Sequence, residues 1–135
     1  MTDCETSILI VEDELSIRAL LMALLGERFH CQAAGTAEAA IRLLNSQCFH
    51  LVLADIGLPG TSGLELCRRI AARNSRTVVV LISGKIDLEA ATEAREAGAF
   101  DFLSKPFDLT DVLLTVDFAL AHQAEQASAN SATRD

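Results

Sequence analysis

Polar side chains follow four of the short apolar runs in this sequence, at the point where each run ends. Glu12 and Asp13 follow the first of these runs, Asp55 follows the second, Ser83 the third, and Lys105 the fourth. Three carboxylates that lie together repel one another unless a cation joins them, and an oxygen-only cluster suits a hard ion such as Mg²⁺. A lysine neutralises an incoming anion, and a hydroxyl donates a hydrogen bond to it. These residue types suit the transfer of a phosphoryl group onto an aspartate.

The elements that would carry these residues alternate between strand and helix. Short β-branched runs predict five strands, and longer segments of helical period predict a helix after each strand. The predicted strands are Ser7–Val11, Cys31–Ala34, Leu51–Ala54, Thr77–Ile82 and Phe100–Leu103. The helices that follow them begin near Ile17, after Thr36, near Leu64, near Asp87 and after Asp108, and the last four end near Gln47, Arg73, Ala97 and His122.

Three residues carry signals for helix ends, and one helix carries a clear apolar stripe. Thr36 and Asp108 are predicted N-caps, and Gly98 occupies the place that follows a helix C-terminus. The first helix has apolar residues at the spacing of one helical face, which we expect to be buried. That stripe consists of Ile17, Leu20, Leu21, Leu24 and Leu25.

The strands predict an α/β fold with a parallel sheet. The first, third and fourth strands are mainly continuous apolar runs and do not alternate between apolar and polar residues, which is typical of strands covered by helices on both faces. In such open sheets the functional site lies outside the carboxyl ends of the strands. The polar residues described above are therefore expected to meet at one edge of the sheet.

Each of these residues, taken alone, has a simpler explanation. Glu12 and Asp13 would suit the N-terminus of a helix, where the helix dipole favours acidic side chains. Asp55 would suit a turn, and Lys105 would suit a solvated loop. The functional interpretation depends on four separate segments delivering these groups to the same edge.

The composition predicts one globular domain. The chain has 135 residues, of which 50% are hydrophobic and 22% charged, so it holds enough apolar material for a core. Its net charge of −8 disfavours direct contact with nucleic-acid phosphates. The longest apolar run, 19–25, is too short to span a bilayer, and the acidic N-terminus lacks a signal-peptide pattern. We therefore expect a cytoplasmic domain with neither nucleic acid nor a membrane as a direct partner.

Four segments together resemble the receiver domain of two-component response regulators. They stand in the family's order and spacing over roughly residues 6–122, and in combination they are specific although each alone is weak. The resemblance implies a flavodoxin-like, doubly wound (βα)5 fold whose five-stranded parallel sheet has the order 2-1-3-4-5. The segments are Leu9-Ile-Val-Glu12-Asp13-Glu14, Leu51-Val-Leu-Ala-Asp55-Ile-Gly-Leu-Pro59-Gly-Thr-Ser-Gly63, Leu81-Ile-Ser83-Gly84 and Gly98-Ala-Phe-Asp-Phe102-Leu-Ser-Lys105-Pro106-Phe107.

The resemblance implies a chemical role for each residue at this edge. Asp55 would accept a phosphoryl group from a phosphohistidine of a partner histidine kinase or phosphotransfer protein. Asp13 would hold Mg²⁺, and Glu12, Asp55 and the backbone carbonyl of Gly57 would be further ligands. Lys105 would pair with a phosphoryl oxygen.

The resemblance also implies a conformational switch. Ser83 would turn to bond the phosphoryl group, Phe102 would move between an outward and an inward rotamer, and the peptide bond before Pro106 would be cis. The surface made by the fourth helix, fifth strand and fifth helix would change, and a downstream protein, an output domain or a second copy forming a homodimer would dock there. The domain would not be an enzyme beyond its own phosphoryl uptake and hydrolysis.

Two positions beside the acceptor depart from the commonest family pattern. Gly57 lacks a side chain, and Lys85 stands at the matching place after Ser83. Because both positions line the approach to the acceptor in the family, the lifetime of the phosphoryl group stays open. Phe102 keeps an aromatic ring but lacks the hydroxyl of a tyrosine.

Several alternatives follow from the same residues. A dehalogenase-type phosphatase would need a second aspartate two residues after Asp55, where Gly57 stands. A receiver-like module that is never phosphorylated is not favoured, since every site position is filled.

We divide the chain into a receiver domain, 1–123, and a polar tail or start of a linker, 124–135. A stand-alone receiver is slightly favoured over the N-terminal part of a longer DNA-binding transcriptional regulator.

Overall fold

The computed structural model describes residues 6–73, 76–84 and 88–133, with side chains described as far as residue 127. Five strands and five helices alternate along this part of the chain. The strands are β1 (Ser7–Val11), β2 (His30–Ala34), β3 (Leu51–Asp55), β4 (Val78–Ser83) and β5 (Asp101–Ser104). The helices are α1 (Leu15–Gly26), α2 (Ala37–Ser46), α3 (Gly63–Ala72), α4 (Leu88–Ala97) and α5 (Leu109–Thr133).

All five strands form one parallel sheet in the order β2-β1-β3-β4-β5. The α/β, doubly wound fold class and its strand order are therefore confirmed. The connection from β1 leads to β2 on one side, and the next connection leads to β3 on the other side of β1. The strand order therefore changes direction between β1 and β3. This reversal opens a crevice beyond the carboxyl ends of β1 and β3, where ligands bind in folds of this kind.

The core consists of two apolar layers, one on each face of the sheet. In β1, Leu9 and Val11 pack into one layer, whereas Ile8 and Ile10 pack into the other. Every residue of β3 and β4 is buried. The prediction of strands covered on both faces is confirmed for the inner strands β1, β3 and β4, whereas the edge strands β2 and β5 are only partly buried. The sheet provides a fixed base for the residues that follow its strands.

The helix ends follow the local signals where the structure describes them. The Thr36 hydroxyl accepts a hydrogen bond from the backbone N–H of Ala39 at 3.1 Å, and the Asp108 carboxylate accepts one from Thr110 at 2.9 Å. Gly98, after α4, has a φ of +102°, a conformation that favours glycine. Asp87, the expected start of α4, lies outside the described residues.

The apolar stripe of α1 is only partly buried. Leu21 and Leu25 are buried, whereas Leu20 is 44% exposed, so its predicted burial is wrong. Successive helical residues are rotated by about 100°, and α1 packs along the line through Leu21 and Leu25. Leu20 therefore faces away from the sheet.

Helix α5 is longer than predicted. The sequence prediction ended it near His122, but the helix continues to Thr133. After Pro106 the chain contains neither glycine nor proline, and alanine, the best helix former, is the commonest residue in the stretch that begins at Ala124. Its polar composition limits burial, not helix formation. Within the described part of the chain, no helix is long and apolar enough to cross a membrane.

Candidate functional site

The five residues singled out from the sequence meet at the carboxyl edge of the sheet. Glu12 and Asp13 directly follow β1, and Asp55 and Ser83 are the last residues of β3 and β4. Lys105 directly follows β5. Because the strands are parallel, their carboxyl ends lie side by side. The fold thus brings together residues from four segments that are far apart in the sequence, from Glu12 to Lys105.

Three carboxylates form a cluster at this edge. One oxygen each from Glu12, Asp13 and Asp55 lies within 4.8 Å of the others. Glu12 is completely buried and Asp55 is 6% exposed, whereas Asp13 is exposed. Two carboxylates are therefore held in place by the fold while the third is open to solvent, which is an arrangement that a cation can reach.

Asp55 is held at both of its carboxylate oxygens. Oδ1 accepts a hydrogen bond from the backbone N–H of Gly57 at 3.0 Å. Oδ2 accepts one from the Lys105 ammonium at 2.8 Å. Because Gly57 has no side chain, the space beside Oδ1 stays open, and a Cβ there would lie 3.7 Å from that oxygen.

Glu12 carries a buried oxygen that nothing in the described chain fully satisfies. Its Oε2 accepts a hydrogen bond from the backbone N–H of Glu14 at 3.0 Å. Its Oε1 lies 3.3 Å from the Lys105 ammonium, but no described group donates it a hydrogen bond of good geometry. Burial raises the pKa of Glu12, and the charge of Asp55 acts in the same direction, against the Glu14 N–H and Lys105. The Lys105 ion pair offsets part of the free-energy cost of burying this oxygen, and a metal ion or water bound beside it would offset more.

The cluster fits a hard divalent cation. All the side-chain ligands on offer are carboxylate oxygens, one of them is exposed, and one buried oxygen lacks a donor. Mg²⁺ prefers oxygen ligands and is commonly bound by one or two carboxylates, with waters completing its octahedron. The chemistry of the donor set therefore matches the cation expected from the sequence.

Lys105 places a positive charge beside the three carboxylates. Its ammonium lies 2.8 Å from Asp55, 3.3 Å from Glu12 and 4.0 Å from Glu14. Burial alone would lower the pKa of Lys105, but the hydrogen bond and charge of Asp55, together with Glu12, raise it overall. The side chain is therefore held protonated against the acidic cluster.

The backbone around Lys105 connects β4 and β5. The Lys105 N–H donates a hydrogen bond to the Ser83 carbonyl at 2.8 Å, and the Lys105–Pro106 peptide bond is cis, as the resemblance implied. Ser83 is buried, and Phe102 is partly buried against the apolar layer that contains Leu81. Lys85, the other position that departs from the family pattern, lies outside the described residues.

Gly63 is a structural residue of the site that the sequence reasoning did not identify. It begins α3, directly after Ser62, whose hydroxyl accepts a hydrogen bond from Glu65 N–H at 3.2 Å. A Cβ at Gly63 would lie 2.8 Å from the backbone carbonyl carbon of Asp55 and 2.9 Å from Cα of Ile56. It would lie closer still to the backbone carbonyl oxygen of Asp55. The sequence indicates a glycine-rich turn after Asp55. The position of Gly63 directly after the N-cap Ser62 is the signal from which its role could have been predicted.

Comparison with known proteins decides the family. The family model described as the response regulator receiver domain matches residues 8–117. The chain belongs to this family. The receiver domain defined by that match includes every residue of the site described above.

Curated relatives and solved structures agree with this assignment. A DNA-binding transcriptional regulator NtrC of Klebsiella pneumoniae is 36% identical over 132 residues, which cover 93% of this chain and 28% of the relative. The receiver domain of an HD domain-containing protein from Pseudomonas fluorescens Pf-5 is 30% identical, with a TM-score of 0.87 over 95% of this chain and 96% of that one. A CheY-like receiver domain protein from Methanospirillum hungatei JF-1 is 27% identical, with a TM-score of 0.86 over 91% of this chain and 99% of that one.

The matches differ in how much of the matched chain they cover. The two solved chains are matched over nearly their whole length, whereas the chain spans little more than a quarter of the NtrC relative. The match to NtrC is therefore a match to one part of a larger regulator.

Proposed function

We propose that this receiver domain accepts a phosphoryl group on Asp55 from a phosphohistidine of a partner histidine kinase or phosphotransfer protein. The observation that carries the proposal is the position of the Asp55 carboxylate. It lies 2.8 Å from the Lys105 ammonium and within the acidic cluster formed with Glu12 and Asp13. A nucleophilic carboxylate, a cation site and a fixed positive charge are the groups that phosphoryl transfer to an aspartate requires.

The proposed metal is Mg²⁺, bound by Asp13, Glu12, Asp55 and the backbone carbonyl of Gly57. When bound, Mg²⁺ would neutralise charge on the phosphoryl oxygens and so reduce their repulsion of the attacking carboxylate. Support comes from the all-oxygen donor set and from Glu12 Oε1, which no described group satisfies with a hydrogen bond.

The proposed transfer step uses the carboxylate of Asp55 as the nucleophile. One of its oxygens forms a bond to phosphorus while the bond between phosphorus and the histidine nitrogen breaks, and the imidazole that leaves takes up a proton from solvent. Lys105 would pair with a phosphoryl oxygen, and its protonation is favoured by the neighbouring carboxylates. In a later, separate step, water would attack phosphorus, the bond to the Asp55 oxygen would break, and inorganic phosphate would leave. The domain is therefore proposed to catalyse only its own phosphorylation and hydrolysis and no other reaction.

The proposed response to phosphorylation runs through Ser83 and Phe102. Ser83 ends β4 at the same edge as the acceptor, and Phe102 lies in the next strand, paired in register with Leu81. Turning Ser83 toward the phosphoryl group and Phe102 toward the sheet would change the surface of α4, β5 and α5. Phosphorylation would shift an equilibrium between two existing forms, and a downstream protein, an output domain or a second copy would bind the favoured one.

A longer regulator is the second candidate for the context of this domain. The NtrC relative is described as a DNA-binding transcriptional regulator, and this chain matches only 28% of its length. Helix α5 continues to Thr133, well beyond the boundary of 123 predicted for the receiver domain, and would suit a connection to an output domain. The proposed location is the cytoplasm, where Mg²⁺ and a phosphorylated kinase would both be available.

The central test is phosphorylation of the purified chain by a small phosphodonor, followed by intact mass spectrometry. With Mg²⁺ we expect a gain of one phosphoryl group, about 80 Da, on the basis that a single carboxylate acts as nucleophile. Asp55→Asn should show no gain. Asp117→Asn is the matched control, since Asp117 lies in α5 and pairs with Arg28 at 3.4 Å, and it should gain the group normally.

The result also separates this proposal from a receiver-like module that is never phosphorylated. A chain that binds no Mg²⁺ and gains no mass, either from the small donor or from a histidine kinase, would favour that module. Equal labelling of Asp55→Asn and the wild type would instead show that another residue is the acceptor.

A further inference from the structure

Arg18 contacts the backbone of the metal-site residue Glu12. It lies in α1, and its Nη1 donates a hydrogen bond to the backbone carbonyl of Glu12 at 3.2 Å. The Glu12 N–H donates to the Ala34 carbonyl at 3.0 Å. Both polar groups of the Glu12 backbone are therefore held by neighbouring elements, one by α1 and the other by β2.

Gly35 makes room for this arrangement. It follows β2 directly, and a Cβ at this position would lie 2.7 Å from Nη1 of Arg18. Because the nearest atom is the end of a flexible side chain and not backbone, a residue larger than glycine would push the guanidinium aside without disrupting the fold. The contact between Arg18 and Glu12 thus depends on the absence of a side chain at Gly35.

We infer that Arg18 and Gly35 are positioning residues for the cation site. The carbonyl that Arg18 contacts belongs to the peptide group joining Glu12 to Asp13, and the orientation of that peptide sets the direction of the Asp13 side chain. Holding it still keeps the exposed Asp13 carboxylate beside the buried ones. The inference rests on the proposed function, because it assigns both residues to the same Mg²⁺ site.

The sign of the effect distinguishes positioning from simple charge. Arg18 is a cation near the acidic cluster, so removing its charge should strengthen Mg²⁺ binding if only long-range electrostatics mattered. Losing its hold on the Glu12–Asp13 peptide should weaken binding. Loss of a group that orients metal ligands typically weakens metal binding by roughly 10–100-fold.

The test measures Mg²⁺ affinity by isothermal titration calorimetry in four proteins: wild type, Arg18→Gln, Gly35→Ala and the double variant. We expect the Kd to rise about tenfold in each single variant. The double variant should be no weaker than Arg18→Gln, since Gly35→Ala acts only by displacing the guanidinium. The phosphorylation rate at saturating Mg²⁺ should stay within about twofold of the wild type, because positioning affects binding of the cation and not the acceptor itself.

Arg28→Gln is the matched control. It removes the same charge beyond the other end of α1, where Arg28 pairs with Asp117, and its Mg²⁺ affinity should equal that of the wild type. Urea unfolding without Mg²⁺, followed by circular dichroism, checks that each variant is folded. If Arg18→Gln does not fold, the Mg²⁺ affinities of Gly35→Ala and Arg18→Lys test the inference in its place.

Unchanged or tighter Mg²⁺ binding by Arg18→Gln would overturn the inference, and so would a double variant whose losses simply add. If the wild type binds Mg²⁺ and the variants match it, only the positioning role falls. If the wild type binds no Mg²⁺ at all, the proposed function falls together with it.

Discussion

The substitution Gly63→Ala should displace the backbone of the acceptor residue Asp55. The added Cβ would lie 2.8 Å from the carbonyl carbon of Asp55 and 2.9 Å from Cα of Ile56, below the 3.0 Å that real Cβ atoms essentially never cross. All the nearest atoms are backbone, so the first turn of α3 and the end of β3 must move apart. The hydrogen bond from Gly63 N–H to the Ile56 carbonyl, 3.1 Å long, would be strained by that movement.

The size of the effect follows from two opposing contributions. Forcing a methyl group into a closed space typically costs about 1–3 kcal/mol, and contact with rigid backbone favours the upper part of that range. Replacing a helical glycine by alanine returns about 0.5–1 kcal/mol. We expect a net loss of about 2 kcal/mol in the free energy of unfolding, which lowers the Tm of a domain of this size by about 7 °C. Displacing the acceptor by a fraction of an ångström should slow phosphorylation about tenfold or more.

Urea unfolding followed by far-ultraviolet circular dichroism measures the first effect, since the chain contains no tryptophan or tyrosine for fluorescence. Intact mass spectrometry over time measures the second. Gly26→Ala is the control, because a Cβ at Gly26 meets nothing within 4 Å. It should be at least as stable as the wild type and equally reactive. A Gly63→Ala protein with wild-type stability and a wild-type phosphorylation rate would refute the reasoning.

Three further predictions follow from individual contacts. Lys105→Ala should bind Mg²⁺ at least as well as the wild type by calorimetry, because a positive charge beside the carboxylates is removed, but it should lose the surface change after phosphorylation. Loss of Mg²⁺ binding would contradict the role given to this lysine. Burial raises the pKa of the Cys67 thiol to about 11, so iodoacetamide at pH 8 should alkylate the exposed Cys48 well before Cys67. Peptide mass spectrometry measures both alkylation rates, and equal rates would disprove this expectation. Thr36→Ala removes the N-cap bond to Ala39 and should cost about 1 kcal/mol in urea unfolding; an unchanged midpoint would mean that the cap contributes nothing.

Much of the fold was predictable because it depends on local pattern. The inner strands β1, β3 and β4 are mainly continuous apolar runs, and that pattern extends over only a few consecutive residues. The Thr36 and Asp108 caps and the position of Gly98 are also local signals, and the structure contains all three. The edge at which Asp55 and Lys105 meet followed from one further rule, that parallel strands present their carboxyl ends together.

The sequence by itself therefore determined the order of strands and helices and the residue types available at one edge of the sheet. Only the tertiary structure decided which face of α1 is buried, and hence that Leu20 is exposed. It also decided that Gly63 packs against the backbone of Asp55, and that Arg18 reaches the Glu12 carbonyl past Gly35. These are distances between segments set by the packing of α1, β2 and α3 on the sheet, and no local periodicity encodes them.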